Sequence, residues 1–181
     1  MRRLALASTL AAFMAAPAFA QDWTLDQAAS RVAFEATAFG SPFTGAFEDF
    51  SADITLDPDN LDAARIEAVV RAGSAELSNA QYASNMNGGD GLAVEQHPEA
   101  RFVSDDIRAA GDGYEAVGTL TVKGRSQPLT LPFTLEIDDD RAVANGSFTI
   151  DRAEFGVGSG SWSDVGPSVT VTVHVEADRA S

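Results

Sequence analysis

Leu129, Leu131, Phe133, Leu135 and Ile137 alternate with Thr130, Pro132, Thr134 and Glu136 without a break. A strict period of two puts large apolar side chains on one face of an extended chain and polar ones on the other. That is the pattern of a half-buried antiparallel strand, and an amphipathic helix cannot produce it. The flanking sequence repeats the theme. From Val117 to Gly158 the chain reads as strand, turn, strand, turn and strand, with turns at Lys123-Gly124-Arg125 and Asp138-Asp139-Asp140. An arginine, Arg152, then leads into Phe155-Gly156-Val157-Gly158.

The same periodicity recurs elsewhere. Trp23 to Leu25 reads as a short opening strand. Arg31 to Phe39 carries Val32, Phe34, Ala36 and Ala38 on one face, and Arg65 to Arg71 carries Ile66, Ala68 and Val70. Thr44 to Leu56 carries Phe47, Phe50, Ile54 and Leu56, with Gly45 as a bulge or bend. Arg101 to Arg108, Tyr114 to Val122 and Val143 to Ile150 continue the series. Ser168 to Ala177 closes it with Val169, Val171, Val173 and Val175 in register. Turn clusters such as Asp57-Pro58-Asp59-Asn60 and Gly111-Asp112-Gly113 separate the runs. Only the segment of about 76–95 lacks alternation, and it predicts a short helix starting near Ser78, ended by Asn87-Gly88-Gly89. With no βαβ alternation and roughly eight strands, the chain is all-β and predicts a closed antiparallel barrel, which removes its own sheet edges.

The first twenty residues stand apart. Arg2 and Arg3 precede an apolar run from Leu4 to Ala16, and Ala18-Phe19-Ala20 offers a small-x-small cleavage site. This is the layout of a cleaved secretory signal peptide, too short to span a bilayer. Residues 21–181 then form a single domain. Removing Arg2 and Arg3 takes the formal charge from −15 to −17. A chain this acidic does not track nucleic acid, and its contact with anionic membranes is at most transient. The absence of cysteine excludes thiol catalysis, thiolate metal sites and covalent haem attachment.

At the level of motifs the chain resembles the YceI-like family of exported lipid-binding proteins. The resemblance is carried by Trp23-Thr24-Leu25-Asp26, Ser30-Arg31-Val32 with Phe34, the run Gly45 to Leu56, and Asn79-Ala80-Gln81. It continues through His97-Pro98-Glu99-Ala100-Arg101-Phe102, Gly118 to Phe133, and Phe148 to Gly158. The order and spacing of these stretches make the match. It implies an extended lipocalin-like barrel of about eight strands, a periplasmic location, and a long apolar cavity for an isoprenoid amphiphile such as a quinone or polyprenyl phosphate. It implies no catalytic residues and no cofactor. After Gln81 the chain departs from the family pattern: Tyr82 to Met86 and Gly88 to Leu92 replace a more aromatic stretch.

Ten aromatic side chains are spread over the strands: Phe34, Phe39, Phe43, Phe47, Phe50, Phe102, Phe133, Phe148, Phe155 and Trp162. A packed core and a lined cavity give the same alternation, so periodicity does not separate them. The resemblance favours a cavity, and the residues expected to line it are Phe34, Phe47, Phe50, Leu131, Phe133, Phe148, Phe155 and Trp162. Leu77, Tyr82 and Met86 are expected in a lid, and Lys123 and Arg125 at a ligand head group. Arg152, between Asp151 and Glu154, is expected in an ion pair beside the Phe155-Gly156 bend.

Two other function classes stay open. Glu35, Asp49, Asp53 and Glu67 could serve as general acids or bases in a lipid- or sugar-modifying enzyme. A fully packed barrel could instead be a ligand-free module that binds another exported protein. Homodimer formation is also left open. Gly156 to Ser161 matches neither a nucleophile elbow nor a P-loop. His97 and His174 are too few for a zinc site and read as a turn residue and a solvated one.

Overall fold

A computed structural model describes residues 21–160 and 162–180. Eleven strands form one antiparallel sheet that closes on itself: β1 (Asp22–Leu25), β2 (Arg31–Ala38), β3 (Ser41–Phe47), β4 (Phe50–Thr55), β5 (Arg65–Arg71), β6 (Ala75–Leu77), β7 (Glu99–Ala110), β8 (Gly113–Val122), β9 (Arg125–Asp138), β10 (Arg141–Asp151) and β11 (Ser168–Arg179). One helix, α1 (Ala80–Asn87), interrupts the series. Asn79 caps it by accepting from the backbone N–H groups of Gln81 and Tyr82, as a short polar side chain at a helix start should.

Eleven strands make an eight-stranded barrel because three wall positions are shared. β1 and β2 both pair with β11, through Trp23↔Arg179 and Phe34↔Val171. β3 and β4 continue one another opposite them, and β5 and β6 do the same in the next position. The ring closes through β1, which joins β4 on one side and β11 on the other. One end carries the 110–113 and 138–141 turns. The opposite end, called the upper end below, carries the β2–β3 hairpin, α1 with the 88–98 segment, the 122–125 turn and the 152–167 loop.

Local chemistry explains the irregular points. The run from Thr44 to Leu56, expected as one strand, breaks at Glu48 and Asp49. The break changes the parity of the inward face, from Phe43 and Phe47 to Ala52, Ile54 and Leu56. Gly45 is not a bulge. It pairs with Phe34, whose ring lies across it; a Cβ at residue 45 would sit 2.4 Å from Phe34 Cζ. Pro128 and Pro132 lack the N–H that a two-sided ladder needs. β9 accordingly pairs with β8 throughout, but with β10 only from Phe133 onward.

Trp23 and Leu56 close the lower end, with the indole N–H donating to the Leu56 carbonyl at 2.8 Å. Tyr114 stacks on Phe133 at 5.5 Å. Outside the lower rim, Arg141 bonds Asp26, Glu176 and Asp178 at 3.0, 2.6 and 2.8 Å. These bonds hold the Asp26 and Glu176 carboxyls below their ordinary values and raise the guanidinium further. Ile137, expected on the apolar face, is exposed because β9 runs past the core here. Among the described residues no helix is long and apolar enough to cross a membrane. The expected signal peptide lies outside the described residues.

Candidate functional site: an apolar cavity with a side mouth

The barrel is hollow. Its interior holds a cavity of about 300 Å³, at the lower edge of the roughly 300–1,000 Å³ typical of small-molecule sites. Val169, Val171, Val173 and Val175 of β11 and Leu129, Leu131 and Leu135 of β9 point into it. They are only half-buried even though they face inward, because the space before them is empty. Small residues make the room: Ala36, Ala52, Ala68, Ala142, Ala144 and Gly146 stand where larger side chains would fill the centre.

Of the expected lining residues, Phe34, Phe47, Leu131, Phe133, Phe148, Phe155 and Trp162 do line the cavity. Phe50 is buried but is not among the lining residues, and it sits just past the strand break. Trp23, Leu120 and Ile150 line it as well. Of the expected lid, Met86 reaches the cavity, whereas Leu77 and Tyr82 do not.

Among the described residues, the only charged ones that line the cavity are Arg101 and Arg152. Arg101 is paired with Glu67. Among the described residues Arg152 has no ion-pair partner, contrary to the sequence expectation. Its guanidinium donates to five backbone carbonyls, those of Gly166, Val157, Gly158, Trp162 and Val165, at 2.7–3.1 Å. A guanidinium has five N–H donors, so none is left for a ligand. Arg152 is the organiser of the 152–167 loop, which roofs the cavity with Phe155, Val157 and Trp162. The spacing of the chain gave no sign of this, since the acceptors are all main-chain atoms.

Lys123 is likewise committed. Its ammonium donates to the carbonyls of Asp90 and Gly156 at 3.2 and 3.0 Å, tying the 88–98 segment to the roof. Arg125 is exposed on the outside of the roof, its guanidinium against Gly156. Neither lines the cavity. Glu35, Asp49 and Asp53 are exposed, and no carboxylate lines the cavity. His174 lies on the outer face between Asn145 and Glu176. Among the described residues no cluster of His, Asp and Glu could hold a metal.

A second space of about 140 Å³ adjoins the first. Phe43, Met86, Trp162 and Val165 line both, so they form the partition between them. Leu77 and Tyr82 line this outer chamber, with Tyr82 edge-on to Phe43 at 5.4 Å. Its polar groups are Tyr82, Asn85 and Asp164, and it contains no cation. The chamber is therefore a mouth, set between α1, the β2–β3 hairpin and the roof loop.

Comparison with known proteins agrees with this architecture. The YceI-like domain matches residues 23–177. The chain belongs to the YceI-like family. A UPF0312 protein of Pseudomonas aeruginosa is 31% identical over 188 residues, covering 97% of this chain and 95% of that one. The crystal structure of Burkholderia cenocepacia BcnA superposes with a TM-score of 0.80 at 30% identity, covering 84% of this YceI-like chain and 99% of BcnA. A polyisoprenoid binding domain from Saccharophagus degradans, implicated in plant cell wall breakdown, has the same fold. Its TM-score is 0.68 at 14% identity, with 87% and 98% of the two chains covered.

Proposed function

We propose that this YceI-like protein is a non-catalytic carrier that holds the apolar tail of an isoprenoid amphiphile inside its barrel, and that the amphiphile's head is uncharged. The supporting observation is the cavity wall: aliphatic and aromatic almost throughout, with no carboxylate among the described lining residues, and with both of its cations engaged, Arg152 by five carbonyls and Arg101 by the Glu67 carboxylate. Apolar burial contributes about 0.8 kcal/mol per CH2-sized group, so a tail of several isoprene units can be held without polar contacts. The polyisoprenoid binding of the Saccharophagus degradans domain favours this class of tail.

The head follows from charge. A phosphate or diphosphate head needs cations or a cluster of free N–H groups. Arg152 is spent on five carbonyls, Lys123 is held by two and lines neither space, and the mouth instead presents the Asp164 carboxylate. A quinone- or alcohol-type head suits Tyr82 and Asn85; a polyprenyl phosphate does not. The leader expected at residues 1–20 would place this carrier in the periplasm, where such a cargo must cross water between membranes.

Both tryptophans, Trp23 and Trp162, line the cavity, so intrinsic fluorescence reports its occupancy. Titrating residues 21–181 with a prenyl quinone, a prenyl alcohol and the prenyl phosphate of equal length tests the proposal. Saturable change with the first two, and binding at least tenfold weaker for the phosphate, is expected. No response to any of them would refute the carrier reading, and tighter binding of the phosphate would refute the assignment of the head.

A further inference from the structure

Phe39 is the outlier of this surface. It is 71% exposed, the most exposed large apolar side chain among the described residues. The sequence alternation had assigned it to the strand, but it occupies the tip of the β2–β3 hairpin. Ala38 pairs with Ser41, leaving Phe39 and Gly40 as a two-residue turn with φ of 52° and 75°. Two left-handed residues define the turn type for which Asn-Gly is the favoured sequence. A bulky aromatic at the first position is disfavoured there. No heavy atom beyond the chain neighbours lies within 4 Å of a Cβ built at Gly40, so that side of the tip is open, and the Phe39 ring is left largely in solvent.

The tip is also held firmly. Phe39 N–H donates to the Asp164 carbonyl at 2.8 Å, Gly166 N–H donates to the Thr37 carbonyl at 2.8 Å, and Ala38 bridges Val165. The hairpin is thus fastened to the roof loop, and Phe39 stands at the outer rim of the mouth.

We propose that Phe39 is a membrane-docking tip, which inserts into an uncharged or zwitterionic lipid surface and sets the mouth against the bilayer that holds the cargo. The inference rests on the carrier reading above. Three observations choose the partner. The rim of the mouth carries a single charged side chain, Asp164, and no cation, which suits a neutral surface and not an anionic one. One protruding aromatic is far smaller than the apolar patch that a second copy or a stable protein partner would need to cover. Aromatic rings beside a polar rim favour the membrane interface, and Tyr82 and Trp162 line the chamber behind Phe39. A single ring gives shallow, reversible attachment, as a carrier that must leave again requires.

The test is extraction of a prenyl quinone from phosphatidylcholine vesicles, followed by the quinone absorbance that stays with the protein after the vesicles are sedimented, with wild type, Phe39→Asn and Phe39→Trp. Asparagine suits the left-handed turn, so Phe39→Asn is expected to melt at the same temperature as wild type or higher. Its extraction rate is expected to fall about five- to tenfold, and Phe39→Trp is expected to keep the wild-type rate. Equal rates for wild type and Phe39→Asn would overturn the proposal. Wild type supplied with quinone from ethanol, without vesicles, tests the carrier reading separately. If it fails to bind there, the carrier reading fails; if it binds there but the variants do not differ on vesicles, only the docking tip fails.

Discussion

Replacing Arg152 should loosen the roof of the cavity, and its size can be estimated from the bonds. The guanidinium satisfies five carbonyls at 2.7–3.1 Å. Lysine has three N–H donors, so Arg152→Lys strips at least two carbonyls of their partner. A buried acceptor left unpaired costs about 1–3 kcal/mol. Arg152 is half-buried and water can reach part of the site, so the low end applies, giving a loss of about 2 kcal/mol. For a domain of this size that lowers the melting temperature by about 4–8 °C. Circular dichroism during heating measures it. Tryptophan emission gives a second readout, because Trp162 contributes one of the five carbonyls and packs 5.8 Å from the guanidinium; its emission should shift to the red. A melting temperature within about 1 °C of wild type, with unchanged emission, would show that the five bonds do not hold the loop.

Three further outcomes follow. Val173 faces the empty centre, flanked on the adjacent strands by Gly146 and Val32, so Val173→Trp should abolish ligand binding while leaving stability equal or higher. A loss of about 1–3 kcal/mol instead, as overpacking gives, would mean that the interior has no room. Gly45→Val would drive a Cβ into the Phe34 ring and to 2.9 Å from the Glu76 carbonyl; chemical denaturation should show a loss of about 1–3 kcal/mol. Arg141 lowers the acid titration of Asp26 and Glu176 in the folded state, so their contribution to stability is complete above the ordinary carboxylate values, near pH 4. It is lost as pH falls through the lowered folded values. Urea unfolding of Arg141→Gln should therefore depend less on pH than wild type below about pH 5; identical slopes would count against the ion-pair account.

The strands could be read from the chain because period two is a local signal. Leu129 to Leu135 and Val169 to Val175 face inward as their alternation demands. A short helix starting near Ser78 was visible, ended by the glycines after Asn87, whereas its cap on Asn79 is seen only in the structure. What stayed hidden depends on distance in space. A hollow and a packed barrel alternate identically, and the small residues at inward positions, Ala68 and Ala144 among them, make the difference. Phe50 was assigned to the wall because Glu48 and Asp49 gave no sign of a strand break. Lys123 and Arg125 looked like free turn cations, yet Lys123 is held by carbonyls 33 residues away in either direction. Phe39 fitted the strand pattern and is instead a turn.

The central claim is that this barrel carries a neutral isoprenoid amphiphile, and the most direct measurement is mass spectrometry of an organic-solvent extract of the protein purified from the cells that make it. One compound with an isoprenoid tail and an uncharged head, at about one per protein, is the predicted result. An extract free of apolar-tailed compounds, from protein that also fails to respond to added prenyl quinone or prenyl alcohol, would contradict it.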